Sequence, residues 1–151
     1  MYEVEVKAHL RDRVSVIKKL DGLGCKFSKE MHHIDKVFAP RGTPLPRTPL
    51  GTTVLRVRKQ NDTYFFTLKI PQSSHQDCIE REMEIENGEM MIEILELIKW
   101  EELPVVDKKR IKTNIRDIEV VVDTVKELGD FVEAEKIVTS EDPEDRKKSV
   151  S

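Results

Sequence analysis

Charges recur at every second position through segment after segment of this chain, and that pattern limits what it can fold into. Glu3, Glu5 and Lys7 share one face of Tyr2–Ala8, with Val4, Val6 and Ala8 on the other. The same arithmetic groups Arg56 with Arg58 opposite Leu55 and Val57, and sets Lys69 opposite Leu68 and Ile70. It groups Glu82 with Glu84, Lys108 with Arg110, and Glu133 with Glu135. Period two over such lengths predicts β-strands, and eight segments qualify: 2–8, 34–38, 53–58, 64–70, 79–86, 105–112, 118–123 and 131–138.

An ordinary sheet with one wet face alternates in the same way. Two features separate this chain from that case. Its polar faces carry charges almost to the exclusion of Thr, Ser, Gln and Asn. The signs are also sorted by strand, acidic on the first and last and basic on the middle ones. A barrel closed with its apolar face outward, under helices, would gather these charges into one lumen. So many enclosed charges are tolerable only if they pair, hold a metal or await a charged ligand. A wall of Arg and Lys suits a polyanion, since guanidinium forks match phosphate oxygens and ammonium groups add point charge. Carboxylates on the facing wall would repel that anion unless a hard, oxygen-seeking cation lies between, and Mg²⁺ or Mn²⁺ meets the need.

The expected fold class is therefore α+β: an antiparallel eight-stranded β-barrel with helices packed outside. Asp12 is placed to cap a helix with Val14, Ile17 and Leu20 on one face. Asn87-Gly88 opens a second, with Met91, Ile94, Leu95 and Ile98 inward. Residues 40–51, with four prolines and two glycines, fit neither a helix nor a central strand and read as a mobile loop. The 151 residues suffice for one domain spanning 1–151. Lys plus Arg number 26 against 29 Asp plus Glu, so no basic excess is available for nucleic acid. No stretch of about 18 apolar residues offers a membrane span. Cys25 and Cys78, without metal-site spacing, suggest a reduced, cytoplasmic setting, with one disulfide as the alternative.

These motifs also resemble, in order, those of the CYTH superfamily, which includes class IV adenylyl cyclases and thiamine triphosphatases. Glu3-Val-Glu-Val-Lys7 matches its ExExK opening, and Asp35, in His33-Ile-Asp-Lys-Val-Phe38, resembles its second-strand aspartate. Leu55-Arg-Val-Arg58 matches the LRxR strand, and Phe66-Thr-Leu-Lys-Ile-Pro71 resembles the strand after it. Arg81-Glu-Met-Glu84, Lys108-Lys-Arg110 and the stretch from Val122 to Glu135 complete the set. The resemblance implies that Glu3, Glu5, Asp123, Glu133 and Glu135 are metal ligands. It implies that Lys7, Arg56, Arg58, Lys69, Lys108 and Arg110 grip phosphates, that Asp35, Glu82 and Glu84 are lumen acids, and that Lys7 and Glu5 act in catalysis. Mg²⁺ or Mn²⁺ is the implied cofactor, and a small molecule carrying a triphosphate is the implied partner, taken by a monomer or homodimer. The chemistry would be cyclisation of a nucleotide or hydrolysis of a triphosphate. Leu68-Lys-Ile-Pro71 stands where the cyclases often carry a Tyr-Lys-Gly-Pro-like stretch, which weakens a cyclase assignment. Family members usually continue into a further helix and strand beyond the last acidic strand, so an incomplete C-terminal closure is expected.

Two rivals stand beside an enzyme: a tunnel that binds polyphosphate or nucleotide without turnover, and a β-domain whose charged faces are outside. His32 and His33 read as a solvated pair, and Tyr64, Phe65 and Phe66 as core, with Phe65 on the face of Lys69. Crowding of like charges on the basic wall leads to a further expectation, that removing Arg58 leaves the ligand-free fold as stable or more so.

Overall fold

A computed structural model describes the backbone of residues 2–138 and the side chains of residues 4–136. The chain runs β1 (Tyr2–Leu10), α1 (Arg13–Gly22), β2 (Met31–Ala39), β3 (Val54–Gln60), β4 (Thr63–Ser74) and β5 (Asp77–Ile85). It continues through α2 (Gly88–Leu97), β6 (Glu101–Glu102), β7 (Val106–Ile115), β8 (Ile118–Val125) and β9 (Gly129–Val138). The strand order is β3-β4-β5-β1-β9-β8-β7-β2, and β2 pairs back onto β3, closing an antiparallel ring of eight. All eight expected strands are in that ring. The two-residue β6, too short to show a period, adds to the end of β2 by pairing Glu102 with Phe38.

Closure gives the alternation its meaning, because a ring has no edge and every strand has an inside and an outside. Several cross-strand neighbours on the inner face are oppositely charged. Asp35 lies opposite Arg58, Arg110 opposite Asp123, and Lys7 opposite Glu133. The seam between β1 and β5 is the shortest, three residue pairs from Tyr2–Ile79 to Val4–Asp77. It is lengthened at the hairpin tip, where the Glu5 N–H donates to the Gln76 carbonyl at 3.0 Å.

The apolar core lies outside the ring. Phe38 and Val57 on the outer face of β2 and β3 pack with Ile92 and Leu95 of α2, flanked by Leu55, Tyr64, Phe66, Met91 and Trp100. Asn87 caps α2, its side chain accepting from the Met90 N–H at 2.9 Å. The face that α2 buries differs from the expected one. Gly88, Ile92 and Leu95, spaced i, i+4 and i+7, form its buried stripe, while Ile94 and Ile98 are exposed. The reason is Gly88: without a side chain it admits the Tyr64 ring against the start of the helix, and this turns the 88–92–95 stripe inward. Asp12 caps α1 as expected, accepting from the Ser15 N–H at 3.1 Å. That helix buries none of its residues, and Val14 of its apolar stripe is 61% exposed. Helical cover over the barrel thus comes from α2.

The proline-rich connection between β2 and β3 is held by hydrogen bonds along its length. The Gly42 N–H donates to Glu101 Oε1 at 3.2 Å, and the Gly51 N–H to the Pro71 carbonyl at 2.8 Å. Thr48 is buried, and its carbonyl lies 2.8 Å from His75 Nε2 at the tip of the β4–β5 hairpin. Both cysteines are free and buried. The tail from Ser140 lies outside the described residues.

A methyl group at Gly88 would overlap the Tyr64 ring. Gly88→Ala should therefore lower stability to urea by about 1–3 kcal/mol through overpacking, although alanine is the better helix former. An unchanged midpoint would show that α2 docks by another face.

Candidate active site: a charged lumen

Inside the ring is a cavity of ≈ 280 Å³ whose thirteen lining residues are all charged. The six expected phosphate-binding cations line it: Lys7, Arg56, Arg58, Lys69, Lys108 and Arg110. So do Glu5, Glu82, Glu133 and Glu135. Glu84 lies next to Phe65 in the strand register, but it is exposed and outside the lining. The side chain of Glu3 is outside the described residues. Lys112, Glu80 and Glu119 also line the cavity, and sequence reasoning passed over them. The signal was present: Glu80 continues the 82–84 alternation, Lys112 the 108–110 alternation, and Glu119 sits four residues before Asp123 on the same face.

One side of the lumen is acidic. Glu5, Glu133 and Glu135 each bring one carboxylate oxygen within 4.8 Å of the others. Glu5 stands opposite Glu135 across β1 and β9, and Glu119 stands opposite Glu135 across β8 and β9, giving a row of three carboxylates on adjacent strands. Like charges placed so destabilise a sheet unless something compensates. An all-carboxylate cluster of this size fits Mg²⁺ or Mn²⁺, which takes oxygen ligands at about 2.1 Å and keeps places for water and phosphate. Asp123 is not in this cluster. Both its oxygens accept from Arg110, Oδ1 from Nε at 2.6 Å and Oδ2 from Nη2 at 2.7 Å.

Asp35 holds Arg58 in the same way, with Nε–Oδ1 and Nη2–Oδ2 both 2.8 Å. Lys108 Nζ lies 3.7 Å from Asp35 and 3.7 Å from Asp123, bridging the two pairs. Arg110 Nη2 is 3.6 Å from Glu133, and Lys7 Nζ is 3.5 Å from the same residue. One chain of alternating sign results: Arg58, Asp35, Lys108, Asp123, Arg110, Glu133, Lys7. On the β4–β5 side, Lys69 approaches Glu80 at 4.0 Å and Arg56 approaches Glu82 at 3.9 Å.

Electrostatics on the buried side follow from this packing. Burial alone would raise the pKa of Asp35, but the Arg58 guanidinium bonded to it, with Arg56 and Lys108 nearby, holds the carboxyl well below the usual range. Asp123 is likewise depressed, burial being outweighed by Arg110 and then Lys108. Burial first, then Arg110 and Arg58, push the Lys108 ammonium down to about 8, so its charge is held only weakly above neutrality. His33 is fully buried beside this group, not solvated. Burial and then Arg58 and Arg110 push it down to about 3, so it is a neutral imidazole, with Nε2 3.0 Å from Gln60 Oε1. Its neighbour His32 is exposed, with Nε2 2.7 Å from Asp107. Tyr64 and Phe66 belong to the α2 core, and Phe65 does not.

The arrangement is a closed antiparallel barrel that presents cations and a carboxylate cluster to one enclosed space. A model of the CYTH domain matches residues 1–149, and the chain belongs to the CYTH family, whose members bind triphosphate substrates. It is 31% identical over 148 residues to the Methanocaldococcus jannaschii protein named "Putative adenylate cyclase MJ0240", covering 97% of this chain and 83% of that one. Among solved structures, the PH1012 protein of Pyrococcus horikoshii superposes with a TM-score of 0.79 at 28% identity, covering 98% of this chain and 85% of that one. The PH1819 protein of the same organism gives 0.74 at 25% identity, covering 97% and 85%.

The buried pairs reverse the expectation for Arg58. It is engaged by Asp35 and only 7% exposed, so removing it strands a buried carboxylate. Arg58→Ala should cost about 3–5 kcal/mol of ligand-free stability. A double variant, Arg58→Ala with Asp35→Ala, should recover part of that loss. A single variant as stable as the parent would mean that the pair is not formed in solution.

Proposed function

We propose that this protein is a divalent-metal-dependent enzyme acting on a triphosphate held in the lumen, in the first instance by hydrolysis of the terminal phosphoryl group. The observation that carries the reading is one enclosed space lined by both a three-carboxylate cluster and seven arginine and lysine side chains. A polyanion neutralises those cations, and a divalent cation reconciles the same anion with the acids. A module that only bound polyphosphate would need the cations alone.

Glu5, Glu133 and Glu135 would hold the metal, which supplies charge neutralisation at the phosphoryl group undergoing transfer. The other roles belong to the chain. Arg58 and Arg110 each give one edge of the guanidinium to an aspartate, and a guanidinium has five N–H donors, so Nη1 remains to meet phosphate oxygens. Their aspartates fix the orientation of the two forks. Arg56, Lys69, Lys108 and Lys112 add charge along the wall and stabilise the negative charge that develops on the departing oxygen. In the reaction a water oxygen forms a bond to the terminal phosphorus, and the bond from that phosphorus to the bridging oxygen breaks. The bridging oxygen keeps the electron pair and leaves with the diphosphate, and the water proton passes to a lumen carboxylate. Lys7, 3.5 Å from Glu133 and 5.1 Å from the centre of the Phe131 ring, is steadied where it can orient the incoming nucleophile.

A second reading is favoured by the name of the M. jannaschii relative. In it, the 3′-hydroxyl of a bound nucleotide attacks the α-phosphorus and pyrophosphate leaves. The same lumen serves either reaction, and the products separate them.

Purified protein with tripolyphosphate or ATP, and with Mg²⁺ or Mn²⁺, should release phosphate under the first reading, or pyrophosphate and cyclic AMP under the second. Ca²⁺, with its longer and looser bonds, should substitute poorly. Glu135→Gln should lower kcat at least about 100-fold, the scale of losing a metal contact, with little change in melting temperature. Undiminished turnover in excess EDTA would remove the metal from the account, and triphosphate binding without any turnover would leave a binding module.

A further inference from the structure

Helix α2 carries a second apolar stripe. Met90, Ile94 and Leu97, spaced i, i+4 and i+7, lie opposite the buried Gly88, Ile92 and Leu95. With Ile98 beside them they form an exposed ridge, Leu97 being 67% exposed. The outer face of β3, β4 and β5 carries a groove of ≈ 190 Å³ lined by Leu55, Phe66, Leu68, Arg81, Glu82 and Met83, the last 57% exposed. We propose that a second copy of this chain occupies this surface, the α2 ridge of each copy seated in the groove of the other.

Position makes the pairing reciprocal. Leu55 and Phe66 line the groove and also pack against the core beneath α2, so ridge and groove adjoin on one side of the barrel. A two-fold axis between them brings both ridge–groove contacts into one closed interface. An apolar helix face entering an apolar groove is a common mode of recognition, and contiguous exposed apolar surface marks a contact site. Charge complements the fit. Glu89, Glu93 and Glu96, also at i, i+4 and i+7, run along one flank of the ridge, and Arg81 stands at the groove. Arg81 gives one N–H to the Glu80 carbonyl at 2.7 Å and has further donors to offer a carboxylate. Glu89 already accepts from the Tyr64 hydroxyl, so Glu93 and Glu96 are the partners assigned to Arg81 of the second copy.

The same charges disfavour other occupants. Ridge against ridge, in an antiparallel pair about a two-fold axis, would set the glutamate flank of one α2 beside that of the other. An anionic membrane would meet those glutamates too.

The location bears on the lumen. Arg81 and Met83 are on the outer face of β5, whose inner face brings Glu80 and Glu82 to the cavity. The β1–β5 seam stops at Ile79, so from Glu80 onward β5 is bonded, among the described residues, to β4 alone. A second copy seated on this strand would brace the least supported wall of the lumen.

Sedimentation equilibrium over a range of concentrations tests the proposal, with melting temperatures to establish that each variant is folded. The wild-type protein should be a dimer at micromolar concentrations. Leu97→Glu on the ridge, or Ile94→Glu if the first variant does not fold, should raise the dimer Kd about 30-fold or more. Arg81→Glu at the groove should raise it about tenfold, and adding Glu93→Arg and Glu96→Arg to that variant should restore most of the affinity. A wild-type monomer at every concentration would overturn the proposal and leave the ridge to a different partner. A dimer insensitive to the ridge change, to the groove change or to both would overturn it as well, and sensitivity to the ridge change alone would mean that α2 packs on α2.

Discussion

Enclosing charge inside a small ring of strands is the constraint on which this structure depends. An ion taken from water loses several kcal/mol of solvation, and only close, well-oriented partners return it. The chain from Arg58 through Asp35, Lys108, Asp123, Arg110 and Glu133 to Lys7 meets that condition, and it does so across six of the eight strands of the ring: β3, β2, β7, β8, β9 and β1. Its bidentate pairs are the most buried members, while Lys7 at its end is half-exposed. The core that stabilises the barrel lies outside, under α2, so the interior is free to be polar. In this fold the usual roles of inside and outside are exchanged.

The same network crowds charges of both signs around one cavity, and the proposed function follows from that crowding. The alternating chain holds four cations and three anions. Elsewhere in the lumen, Glu5, Glu119 and Glu135 stand side by side on neighbouring strands. Lys112 lies 3.8 Å from Glu119, and Glu133 joins the acidic cluster to the alternating chain through Arg110 and Lys7. The proposed metal-bound triphosphate would meet both groups of charges at once, and a ligand that binds only the folded state adds to its stability by mass action. Asp35 and Asp123 orient Arg58 and Arg110 without any ligand, so a phosphate bound there would need little reorganisation.

Much of this was legible because period-two arithmetic is strict. Once the strands closed into a ring, Arg56, Arg58, Lys69, Lys108 and Arg110 had to share an interior. Lys112, Glu80 and Glu119 were readable by the same count and were missed at strand ends, where boundaries are least distinct. Other features depend on partners that a sequence does not reveal. Asp123 looks like any acid near a carboxylate cluster until Arg110 is found opposite it in the register. His33 looks exposed beside His32 until β2 is seen to run from Met31, which puts His33 on the inner face with Asp35. The rotation of α2 was set by a glycine, a residue that apolar counting ignores, and the lack of burial on α1 could not be inferred from its stripe.

The most direct test is a crystal structure of the protein with Mn²⁺ and a non-hydrolysable triphosphate, using the anomalous signal of the metal. The account predicts a manganese peak among Glu5, Glu133 and Glu135, with phosphate oxygens against Arg56, Lys69 and the free edges of Arg58 and Arg110. Manganese elsewhere, or a triphosphate bound on the outer surface with the lumen unchanged, would contradict it.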